Sequence, residues 1–253
     1  MKVKGERKNL DSVLRLNCLF FLFFIFSQVL FAQEKTDNSP DWFYPDWAAG
    51  AKFNYPIRVL DTDSALGRYS LKTKEVGLKD LARFHGHLCD GLVIAFIEIR
   101  AALEKLFPEG IVDRTDLRAV AKNGPCIIDA VMYLTGARVN FQTLRIDNSI
   151  TEGFIIQRIS TGQAYKVNLR SGVFPAEQAA LEEAIREKRR KGSGVSAEEI
   201  DQLEQMANSL IRQILSTPPE EILEIRPLEG YIFRPFDFIG ERGDVINKTM
   251  PRK

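Results

Sequence analysis

The sequence predicts an α+β fold: a mixed, largely antiparallel sheet with helices packed on one face, plus a C-terminal helical segment. Three observations carry this. Apolar residues recur at steps of three and four from Asp90 to about Phe107, the pattern of a helix with a buried face. Several segments between Leu117 and Leu169 alternate and are rich in branched and aromatic side chains, as strands are. A capping box at Ser196-Ala197-Glu198-Glu199 then opens a late amphipathic helix. With 253 residues, 45% hydrophobic and 27% charged, the chain suits one main globular domain with appendages.

The first 32 residues stand apart. Lys2, Lys4, Arg7, Lys8 and Arg15 precede an apolar run from Leu19 to Phe26, and Ala32 closes a short polar-flanked stretch. A basic region, a short apolar run and a small residue describe a secretory signal peptide cut after Ala32. The run is short of the about 20 residues that span a bilayer. An uncleaved leader anchoring the chain to the membrane is the alternative. Export to the periplasm is therefore expected. Without residues 1–32 the chain carries 30 basic against 32 acidic residues, so no polyanion-binding field arises and nucleic acid is not an expected partner.

Residues 33–77 form a linker and an aromatic N-terminal extension. The Asp41-to-Trp47 segment, with Trp42, Phe43, Tyr44 and Trp47, would either plug an apolar surface or serve as a lid or partner patch. Residues 53–77 look irregular, broken at Tyr55-Pro56 and Leu66-Gly67. The core domain is placed at 78–227. Leu78 to Phe84 makes one or two helical turns, and the Asp90 helix that follows is apolar almost all round in its first half, which puts it at the centre.

Leu117–Ala121 reads as a strand. Asn123-Gly124-Pro125 turns into a second helix over Cys126–Leu134, closed by Thr135-Gly136. Val139–Ile146, Gly153–Ser160 and Gln163–Leu169 read as strands, the last two as a hairpin. Pro175–Lys191 is a charged helix with a solvated face, and the capped helix runs to about Leu215. Ile222–Pro227 adds an edge strand. Residues 228–253 form a tail packed through Tyr231, Phe233, Phe236 and Phe238.

Chemistry concentrates in two short segments. His85-Gly86-His87-Leu88-Cys89-Asp90 holds both histidines of the chain, and Cys126 is the only other cysteine beyond the leader's Cys18. An extended or turning approach to the Asp90 helix would let His85, His87 and Cys89 converge, and Cys126 would complete two nitrogens and two sulfurs. That set suits a divalent metal ion, Zn²⁺ foremost, held tetrahedrally. With three of the four engaged, a position stays open for hydrolytic or Lewis-acid chemistry, in which Cys126 and Asp129 are the candidate catalytic residues. Asp129, one turn after Cys126, could bind metal, orient a histidine or act as general base; a cap or ion pair is the structural alternative. Two other readings stay open for the thiols: a Cys89–Cys126 disulfide in an oxidising compartment, or free reactive thiols at two helix starts.

These residues resemble the FmdE family, the E-type subunits of formylmethanofuran dehydrogenase, over about residues 78 to 227. Its first signature, His-Gly-His-x-Cys-Pro-Gly before a long apolar helix, is matched by His85, Gly86, His87, Cys89 and Gly91. Its second is matched by Cys126, Asp129, Ala130, Thr135 and Gly136. The resemblance implies an α+β core, a homodimer and a metal site built from the motif histidines and cysteines. Asp90 replaces the family's proline, Ala137-Arg138 stands where a further Cys-Thr is usual, and Phe141-Gln142-Thr143 replaces a glycine- and lysine-rich turn. The C-terminal zinc finger of some members has no counterpart, because no cysteine follows Cys126.

Three functions follow as expectations. The first is an exported metal-binding protein acting on a small-molecule substrate through His85, His87, Cys89 and Cys126. The second is a thiol/disulfide redox protein using Cys89 and Cys126 with a redox partner. The third is a non-catalytic module that docks a partner on its aromatic segment.

Overall fold

The computed structural model describes residues 41–64, 66–241 and 245–252. The expected leader, residues 1–32, and residues 33–40 lie outside the described residues. Ahead of the core, a four-residue helix, α1 (Asp46–Ala49), is followed by three short strands, β1 (Ile57–Leu60), β2 (Arg68–Ser70) and β3 (Lys74–Val76). Residues 53–77 were expected to be irregular, and these strands correct that. Each has only three or four residues, too few for alternation to show in sequence. β1 pairs antiparallel with β3 and parallel with β4 (Val112–Asp113).

The aromatic segment turns inward. Tyr44 is buried, and Phe43 and Trp47 pack on the core, with the Arg212 guanidinium 3.8 Å from the Trp47 ring centre. Phe43, Tyr44 and Trp47 thus plug an apolar surface.

Two helices then lead into the core, α2 (Leu78–His85) and α3 (Asp90–Leu106). Leu92, Phe96, Ile99, Leu103 and Leu106 on α3 are all buried, as expected of a helix apolar on most sides. Arg100, on the same helix and 1% exposed, donates to the carbonyls of Phe53 at 2.7 Å and Tyr55 at 3.1 Å. Its charge is accommodated because it satisfies two backbone acceptors and lies on the Tyr55 ring, which fastens the N-terminal extension to the central helix.

The remaining elements are β5 (Leu117–Ala121), α4 (Pro125–Thr135), β6 (Leu144–Ile146), β7 (Phe154–Arg158), β8 (Ala164–Leu169), α5 (Ala176–Arg190), α6 (Ala197–Ser216), α7 (Pro219–Ile222), β9 (Leu223–Pro227) and β10 (Asn247–Arg252). Five of them make the main sheet, ordered β6-β5-β7-β8-β9, with β5–β6 parallel and the other pairs antiparallel. The sheet is mixed, and β9 forms its edge. Val139–Ile146, expected to be one strand, divides into a 3-10 turn at Val139–Phe141 and the short β6. Gln142, in the left-handed region at φ 56°, separates them.

Alternation sorts the sheet's two faces. Leu117, Ala119, Ala121, Phe154, Ile156 and Val167 join the core formed with α3 and α4. On the opposite face, the Arg118 guanidinium lies 5.4 Å from the ring centre of Phe233, and Gln157 donates to the Tyr231 carbonyl at 3.1 Å. Helices cover one face and the C-terminal tail the other. Phe233 is buried, but Phe238 is 81% exposed and does not anchor the tail as expected. Its end instead forms β10, parallel to β2, a pairing of residues so distant in sequence that no local signal announces it.

Gly153 precedes β7 at φ 68°, and a Cβ there would come within 1.8 Å of the Val167 carbonyl oxygen. Only glycine lets β7 approach β8 this closely.

Candidate metal centre

Local chain geometry delivers the first motif. α2 ends at His85, and Gly86, at φ 105°, caps it in the left-handed conformation while its N–H donates to the Ala82 carbonyl at 2.8 Å. Glycine reverses the chain there, so His85 sits in the last helical turn and His87 in the following turn, rather than on one extended segment. Their ring centres are 4.8 Å apart. Cys89 is the N-cap of α3, in extended backbone. One donor atom from each of His85, His87 and Cys89 falls within 4.8 Å of the others.

The second motif enters from α4. Pro125 occupies the first helical position, where its missing N–H costs nothing, and Cys126 follows in the first turn. Because α3 and α4 pack against each other, the Cys126 sulfur reaches 3.3 Å from the Cys89 sulfur and 3.6 Å from His85 Nε2. At 3.3 Å the two sulfurs are not bonded, and both cysteines are free thiols. One Asp129 carboxylate oxygen lies 2.7 Å from His85 Nδ1, which fixes the ring with Nε2 toward the Cys126 sulfur. The structure therefore brings His85, His87 and Cys89 together, sets the Cys126 sulfur against two of them, Cys89 and His85, and places Asp129 behind His85.

Electrostatics divide the two thiols. The hydrogen bond with Cys89, reinforced by His85, lowers Cys126 to about 6 despite partial burial. The same hydrogen bond and burial push Cys89 far up. One proton shared between two sulfurs at helix starts, where backbone N–H groups favour negative charge, stabilises a single thiolate in the pair.

These donors fit a metal. A tetrahedral zinc site with Zn–N of about 2.0–2.1 Å and Zn–S of about 2.3 Å has N–S edges of roughly 3.5 Å and an S–S edge of roughly 3.8 Å. The observed 3.6 Å and 3.3 Å match the first and fall half an ångström short of the second. Two imidazoles, two thiols and a carboxylate behind one imidazole are also the donor chemistry that divalent transition metals select.

Sequence reasoning missed two features. Asp90 does not cap its helix through the side chain; it begins α3, with one oxygen on the Gly91 N–H at 2.8 Å and the other on the Gln178 amide of α5 at 2.5 Å. Gln178 is wholly buried, and only its place in an otherwise charged helix could have hinted at this. The second feature is Glu98, 4% exposed on the central helix. A carboxylate directly after Leu-Val-Ile-Ala-Phe-Ile was a visible signal.

With the geometry in place, known proteins supply a context. Residues 84–224, more than half the chain, match the family described as FmdE, molybdenum formylmethanofuran dehydrogenase operon. The chain belongs to this family. Both motifs lie inside the matched span. Among solved structures the FmdE-family chain is similar to a tungsten formylmethanofuran dehydrogenase FmdE-like protein from Syntrophus aciditrophicus, at 20% identity and a TM-score of 0.35, over 64% of this chain and 76% of that one. No curated protein matches.

Proposed function

We propose that this FmdE-family protein is an exported metalloprotein in which His85, His87, Cys89 and Cys126 hold one divalent ion. Zinc is the ion that two imidazoles and two thiolates favour. The observation that carries the reading is the position of Cys126. It reaches the His85-x-His87-x-Cys89 group from another helix, 3.3 Å from one donor and 3.6 Å from another. Four soft donors converging from separate segments have a metal as their simplest common purpose.

Each residue has its part. Asp129 fixes the His85 ring, and the Nδ1–H to carboxylate bond leaves the Nε2 lone pair for the ion. Gln178 and the Gly91 N–H hold Asp90 beside the cysteine. His87 is exposed and closes the group on its solvent side. A bound ion of this kind supplies Lewis acidity at any position the protein donors leave open. The basic, then apolar, N-terminal residues support export.

Elemental analysis of purified protein, with a thiol count and light scattering on the same sample, tests this. Near-stoichiometric metal, two reduced thiols beyond residue 32 and a marked loss of metal in Cys126→Ser are expected, together with the dimer the family resemblance implies. Metal content unchanged in Cys126→Ser sinks the ligand assignment. The 3.3 Å sulfur separation favours one second reading, a thiol/disulfide redox pair. It requires metal-free protein with Cys89 and Cys126 oxidised, and the same sample decides.

A further inference from the structure

Beside the thiol–imidazole group lies a cavity of about 420 Å³, within the range of small-molecule sites. One wall is a stripe of α3, Gly91, Ile94, Ala95 and Glu98, residues at helical spacing on one face. Gly91 and Glu98 are two turns apart, about 10 Å along the helix. The Gly91 end adjoins the candidate metal centre: a Cβ at that position would stand 3.4 Å from the Cys126 sulfur. Gly91 is thus the thin partition between cavity and thiol.

The other end is polar. Glu98 is buried, with one carboxyl oxygen accepting the Leu169 N–H at 2.7 Å, and among the described residues its second oxygen takes no hydrogen bond. Burial pushes this carboxyl up to about 8, so at neutral pH it is an uncharged acid with an O–H to donate. Lys122 and Arg170 also line the cavity, as does Glu152. With Glu98 neutral, these charges leave an excess of one positive, and the remaining walls are apolar, among them Ile127, Phe154 and Phe174.

We propose that this cavity binds a small organic monoanion about 10 Å long, a carboxylate with an apolar body. Its head accepts a hydrogen bond from the Glu98 carboxyl and pairs with Lys122. Its body lies along Ile94, and its far end rests on Gly91 against Cys126. An apolar body gains from leaving water in such walls, and a carboxylate is the anion a protonated carboxyl and a lysine hold together. That this ligand is the substrate of the thiol–imidazole site rests on the metal reading above; that it binds does not.

The test is calorimetric titration of the purified protein at pH 7 with 4-phenylbutyrate and with its amine twin, 4-phenylbutylamine. Metal content is measured on every sample, and the titration is repeated after chelator treatment. The carboxylate should bind at least about tenfold more tightly than the amine, with or without metal. Glu98→Gln keeps the acceptor for Leu169 and offers an amide N–H to the ligand, so binding should stay within about threefold. Glu98→Leu removes the donor and should weaken it about tenfold or more. Ile94→Trp fills the cavity, leaves Glu98 in place and should abolish binding; it decides the matter if Glu98→Leu does not fold. No binding of the carboxylate by wild-type protein, tighter binding of the amine, or undiminished binding by Ile94→Trp each overturn the proposal. Protein that lacks metal yet binds the carboxylate through Glu98 overturns only the metal reading.

Discussion

Glu98→Gln should flatten the pH dependence of stability. In the folded protein the Glu98 carboxyl is buried at the polar end of the cavity with one backbone N–H, and burial raises it to about 8 from 4.5. Lys122 pulls it down and Glu152 pushes it up, both less than burial does. Between those two pH values the unfolded chain has released its proton while the folded chain keeps it. The folded state binds more protons, so stability must fall as pH rises. One proton held over that interval is worth roughly 5 kcal/mol, present in full below about pH 4.5 and lost by about pH 8. Glutamine preserves the shape and the acceptor for Leu169 but carries no titrating proton. Urea unfolding of both proteins from pH 4.5 to 9 should show their difference growing by several kcal/mol in favour of Glu98→Gln, with the steepest change between pH 5 and 8. Cys126, held low by its hydrogen bond with Cys89, works in the opposite direction over a higher, partly overlapping range, but it is common to both proteins and cancels in the difference. Carboxylates held low, such as Asp113 through its Thr115 and Lys248 hydrogen bonds, act at more acidic pH. Parallel stability profiles would refute the burial argument and remove the neutral donor from the cavity.

Three other substitutions test the scaffold and the site. Gly153→Ala forces a side chain at φ 68° into the Val167 carbonyl and should cost at least about 2 kcal/mol, read as a lowered thermal midpoint; an unchanged midpoint would mean that β7 and β8 do not approach as described. Asp129→Asn should weaken metal binding about 10–100-fold in chelator competition while leaving the site saturable, because the ligands remain and only the orientation of His85 suffers. Arg100→Met should cost about 1–3 kcal/mol for each abandoned carbonyl, those of Phe53 and Tyr55, measured by urea unfolding. A neutral result would show that water takes the place of the guanidinium.

The parts of this fold legible in the sequence are those whose cause is local. The apolar periodicity of α3, the capping box at Ser196 and the helix stop at Gly136 all act within a turn or two of chain, and each element appears where its signal lies. Strands β1 to β4 and β10 exist only through partners far away. β2 has three residues and pairs with the end of the chain, so nothing inside Arg68–Ser70 could announce it. The candidate site divides in the same way. Scarcity made the ligand candidates visible, since both histidines and two of the three cysteines fall in two short segments, but convergence depended on α3 packing against α4.

The cavity was hidden for a different reason. Its walls come from α3 and from segments far apart in sequence, and only the spacing of Gly91 and Glu98 on one helix face links the end beside the thiol to the polar one. An apolar helix carries an unpaired carboxylate at a cost, and that cost is offset only where the carboxyl stays protonated or meets a ligand. Among the described residues Glu98 keeps a single backbone partner, two turns from the glycine that separates the cavity from a thiol. Leucine at 98 would fill a core better, so a glutamate there makes sense when the second carboxyl oxygen has a partner to meet.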